Sequence, residues 1–160
     1  RFAETVAAAR AALATELVLD PSARRVRAAG RTFGLPPAEF ALLAVLAHRT
    51  RRGRTLAAPP KEAIDHEWSR AYLADLRAAC GAMHVPDGVE DALARGVDGD
   101  YFSQHLSRLK KSLARHLDVA AAALRIDGGA RRPRAYRLLL AAESIRFAPV
   151  EAPSGRPAHE

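Results

Sequence analysis

The chain has 160 residues, about half of them apolar, enough for one hydrophobic core and too few for two comfortable domains. Its formal net charge is +7, and from Tyr101 to Arg137 nine cations face only Asp118 and Asp127, so that segment alone carries the whole excess. No apolar run approaches the roughly 20 residues that cross a bilayer, and Cys80 is the only cysteine, which excludes an intrachain disulfide framework or thiolate metal site.

Residues 1–16 place Phe2, Val6, Ala9 and Leu13 on one helical face. Because the chain opens on Arg1, this helix is expected to be a connector from an upstream domain. The next stretch, LVLDPSARRVRAAGRTFGL, alternates short apolar runs with turn residues and predicts a three-stranded meander. Asp20 and Pro21 suit a type I turn, and Gly30 suits the second reversal. LPPAEFALLAVLAHRTRRG predicts a helix that starts near Pro37, carries Glu39 at its positive end and stops at Gly53. Phe40, Leu42, Leu43, Val45 and Leu46 make it apolar on most sides, as a central core helix must be.

Thr50 to Pro60 reads as a polar, Pro-rich loop. In DHEWSRAYLADLRAACGAM, Trp68, Tyr72, Leu76, Ala79 and Met83 recur at helical spacing and predict a buried stripe. After HVPDG and the short VEDALARGVDGD, Asp98 or Asp100 is placed to cap the next helix. There, Phe102, Leu106, Leu109, Leu113 and Leu117 form one apolar face, and Ser103, Gln104, Ser107, Arg108, Lys110, Lys111 and Arg115 form the other. Leu124 to Asp127 and Ala135 to Leu140 then predict two strands joined by a Gly-Gly and Arg-rich tip. Residues 149–160 read as a disordered tail.

This order predicts an α+β domain over residues 17–148, a winged helix-turn-helix with an N-terminal meander and a C-terminal hairpin wing. Leu17 to Arg49, and Tyr101 to Leu117 followed by Leu124 to Leu140, resemble the opening and the recognition helix with wing of OmpR and PhoB effector domains. The intervening residues resemble more closely the C-terminal winged-helix region of CRISPR-associated CARF proteins of the ring-nuclease type. The matching elements are Leu19 to Arg49, Gly96 to Leu117 and Ile126 to Phe147. The resemblance implies an accessory domain in antiviral defence whose cyclic oligoadenylate pocket and nuclease residues lie in an upstream CARF domain. None of those residues can be carried over, because this chain has neither a βαβ pattern nor a Gly-rich phosphate loop.

Catalytic readings find little support. His66-Glu67 begins like a zinc helix, but Arg70 stands where the second histidine belongs. His105 and His116 return to one helix face, yet at about 1.5 Å per residue they lie roughly 16 Å apart, too far to share a scissile phosphate. Arg77 and His84 have a spacing that HEPN ribonucleases permit, without the surrounding pattern. No catalytic residue, cofactor or metal is therefore expected.

Nucleic acid is the expected partner, with DNA favoured over RNA. Gln104, Ser107, Arg108 and Lys111 are candidate base readers, with Ser103 on the same exposed face. Lys110, Arg115, Arg131, Arg132 and Arg134 are candidate phosphate contacts. A cytoplasmic homodimer without membrane contact is expected. The rival expectations are a structural or dimerisation module packed on the CARF domain or a partner, with Trp68 and Tyr72 docking it, and the effector of an OmpR-like regulator.

Overall fold

The computed structural model describes residues 15–151. The helix expected over residues 1–16, but for its last two residues, and the tail from residue 152 onward lie outside the described residues. The fold is α+β, with four α-helices and two sheets among the described residues.

The meander forms as predicted: β1 (Leu17–Asp20), β2 (Arg25–Ala28) and β3 (Arg31–Gly34) pair antiparallel in sequence order. Ala29 and Gly30, both at positive φ, make the two-residue reversal. Asp20 organises the first turn. One of its carboxylate oxygens accepts from the Ser22 amide and hydroxyl and the Ala23 amide, and the other accepts from the amide of Val150 at 2.9 Å.

That last bond belongs to an element without a local signature. β7 (Ile145–Phe147) pairs parallel to β1, giving the mixed order β3-β2-β1-β7. Val150, expected in the disordered tail, is buried, so the packed part of the chain passes residue 148. Arg27 and Arg146 flank Val18 in register, and both reach Glu16.

Burial by itself raises the Asp20 carboxyl, but the hydrogen bonds from Val150, Ser22 and Ala23 outweigh it and hold the group below its ordinary value. A lowered folded value adds stability that is complete above about pH 4 and is lost as pH falls through the folded value. Asp20→Asn is expected to cost about 1–3 kcal/mol at pH 7, since its amide nitrogen cannot accept from Val150. Urea unfolding of both proteins between pH 7 and pH 3 should show the gap narrowing at the acid end.

α1 (Pro37–Arg51) lies at the centre, with every residue from Glu39 to Ala47 buried, which explains its lack of a polar face. The expected loop after it contains a strand, β4 (Leu56–Ala57). β4 joins β5 (Ile126–Asp127) and β6 (Ala135–Leu138) in a second sheet of order β4-β6-β5. The two residues of β4 leave no alternation to read, so pairing alone reveals it, whereas β5 and β6 fall within the expected strands and are shorter than those.

α2 (His66–Cys80) is capped by Asp65, whose carboxylate accepts from the Trp68 amide. Tyr72 and Leu76 are buried as predicted, but Met83 is 90% exposed. The helix stops at Gly81, at φ 86°, and residues 82–84 turn away in a 3-10 segment, so the helical spacing no longer applies to Met83. Trp68 stacks on Tyr72, meets Phe102 edge-on and donates its indole N–H to the Ala57 carbonyl. Tyr72 is buried in the core, and Trp68 packs against it while staying partly exposed. α3 (Val89–Arg95) returns against α2, where Arg77 and Glu90 form an ion pair. α4 (Gly99–Leu117) closes the core. Among the described residues no helix is long and apolar enough to cross a membrane.

Candidate nucleic-acid interface

The basic helix α4 is fixed at both ends and in the middle, which decides what it shows to solvent. Asp98, rather than Asp100, is its cap, with the carboxylate accepting from the Tyr101 amide at 3.0 Å. Just before it, the Val97 amide donates to the buried Ser69 hydroxyl, tying this end to α2. Gly99 packs so closely on the loop that precedes α2 that a Cβ would stand 2.6 Å from Lys61 Cα, so any other residue would force helix and loop apart.

Midway, His105 Nδ1 lies 2.6 Å from the buried carboxylate of Glu39 on α1. At the far end, the Arg31 guanidinium donates to the carbonyl of His116, satisfying one of the last-turn acceptors, and Phe33 stacks on the His116 ring at 4.5 Å. Burial, followed by the Arg115 charge, lowers the His116 pKa and favours a neutral ring at pH 7. Both histidines therefore have positioning contacts, one with α1 and one with the meander.

With Phe102, Leu106, Leu109, Leu113 and Leu117 buried, Ser103, Gln104, Ser107, Arg108, Lys110, Lys111 and Arg115 are all exposed. Residues 104, 107, 108, 111 and 115 run along one stripe, and 103 and 110 flank it. None of the four cations forms an ion pair among the described residues. Unpaired cations alternating with short polar side chains can meet phosphates and base edges from one rigid helix.

The hairpin tip adds Arg131, Arg132 and Arg134, all exposed. They are not equivalent. Arg134 donates to the Gly129 carbonyl at 2.8 Å and so braces the loop, while Asp127 accepts from the Gly129 amide. Arg131 and Arg132 form no ion pair among the described residues.

Sequence reasoning missed Arg125, which lines a 390 Å³ cleft with Lys110 above a floor including Leu113, Leu124 and Ile126. It also missed Glu39 and Arg31 as the groups that orient α4, since nothing local in the chain marks contacts across 66 and 85 residues. Cys80 is buried, and that burial pushes its thiol up to about 11, as a core cysteine rather than a nucleophile requires. Among the described residues no group of three or more His, Cys, Asp or Glu could hold a metal ion. No protein-family model and no curated protein matches the chain.

Proposed function

We propose that this chain is a winged-helix module that binds nucleic acid, with α4 as the recognition helix and the β5–β6 hairpin as the wing. The observation that carries the reading is the outer face of α4. Seven polar or cationic residues stand free of ion pairs on a helix anchored to α2, α1 and the meander. DNA is the favoured partner, because its major groove admits an α-helix and the deep, narrow major groove of A-form RNA does not.

The resemblance to CARF proteins extends this to an accessory role in CRISPR-associated antiviral defence in the cytoplasm. Cyclic oligoadenylate binding or cleavage would then belong to an upstream domain. A protein-interaction module, including a homodimer, is the second reading, and the exposed apolar side chains of Ile64 and Met83 favour it.

Titrating a fluorescent duplex of about 25 base pairs at several salt concentrations tests the first reading. The association constant should fall steeply with salt, with a slope of about −0.9 for each phosphate neutralised. A tight dimer in sedimentation that ignores both DNA and RNA would overturn it in favour of the second.

A further inference from the structure

A second group of arginines lies outside α4 and the wing tip, where α1 turns into β4. Arg49 is committed to the fold: its guanidinium lies 2.6 Å from Asp75 on α2 and donates to the Thr55 carbonyl. That clamp, with the amides of Arg52 and Arg54 donating to the Arg49 carbonyl, makes the turn a defined platform. Arg51, Arg52 and Arg54 project from it, all exposed, and none forms an ion pair among the described residues.

The second sheet joins this platform to α4. The Leu138 amide donates to the Thr50 hydroxyl beside the turn, and the Leu139 amide donates to the Arg125 carbonyl, so Arg125 and the turn share the end of the sheet opposite the wing tip. Arg125 in turn shares its cleft with Lys110 of α4. We infer that a cationic strip runs from Lys110 through Arg125 to Arg51, Arg52 and Arg54, and that it takes the sugar-phosphate backbone of a nucleic acid extending past the segment read by α4.

Three guanidinium groups within four residues repel one another, and a polyanion relieves that repulsion. Each fork matches phosphate oxygens in paired hydrogen bonds. Continuity with the exposed face of α4 points to the same nucleic acid and away from a separate acidic protein. For His48, one turn earlier, burial is the main cause of a lowered pKa, Asp75 opposes it, and Arg52, Arg51 and Arg49 lower it further, which favours the neutral ring at pH 7.

The inference rests on the nucleic-acid reading, and duplex length separates the two. The chain carrying Arg51→Gln, Arg52→Gln and Arg54→Gln is compared with the unmodified chain on duplexes of about 12 and about 30 base pairs. The longer duplex should bind roughly 10- to 100-fold more weakly, with its salt slope shallower by about 2 to 3, and the shorter one should bind as before. The matching Arg→Lys chain should recover most of the loss, and the thermal midpoint should not move. Unchanged affinity and slope on the longer duplex would overturn this inference alone. If the unmodified chain binds neither duplex, both readings fall. Loss of binding to polyglutamate with intact DNA binding would give the turn to an acidic protein instead.

Discussion

Replacing Arg108, Lys111 and Arg132 by alanine together should weaken binding to a duplex of about 25 base pairs by roughly 100- to 1000-fold near 0.1 M salt. The salt slope should become shallower by about 2.7, at about 0.9 for each lost phosphate contact. That slope change belongs to three phosphate contacts, and any of the three that meets a guanine edge instead transfers part of the loss from slope to sequence preference. All three residues are exposed and free of ion pairs among the described residues, so the folded state loses little. A thermal scan of the variant separates lost contacts from lost fold. Equal affinity in the variant and the unmodified chain would remove α4 and the wing from any role in binding.

The largest stability effect is expected from the opposite face of the same helix. Leu109 is 0% exposed, within a core that also holds Phe40, Leu43 and Leu46 of α1. Leu109→Ala removes buried apolar surface and leaves a cavity, at a cost of about 2–5 kcal/mol. Domains of this size are stable by only about 5–15 kcal/mol, so a large part of the margin disappears. Urea denaturation should show a lower midpoint at nearly constant slope. Leu139→Ala, at a side chain 40% exposed, should move the midpoint far less. Equal effects would mean that α4 does not pack on the core through its leucine face.

Tertiary context also decided which contacts hold α4. Glu39 is legible in the sequence as a favourable acid in a first helical turn, and His105 as a boundary residue of a basic helix. Their 2.6 Å approach arises only once α1 and α4 are packed together. Met83 shows the converse, a side chain that continues a helical period on paper and is exposed because Gly81 ends the helix first.

What the sequence determined by itself was the set of elements whose pattern repeats within one segment. These are the meander, with turn residues between apolar pairs, the all-apolar α1, and α4, whose leucines every three or four residues force its cations outward. The amphipathic period acts on each segment wherever it sits, because burying one face is favourable whatever lies opposite. Only the tertiary structure decided the two-residue β4, the parallel β7, the contacts of Glu39 and Arg31 with α4, and the bonds that tie Thr50 to Leu138 and Arg125 to Leu139 at one end of the second sheet. Each depends on groups many residues apart, and their pairing is stable only after the core has brought them together, so no local pattern records it.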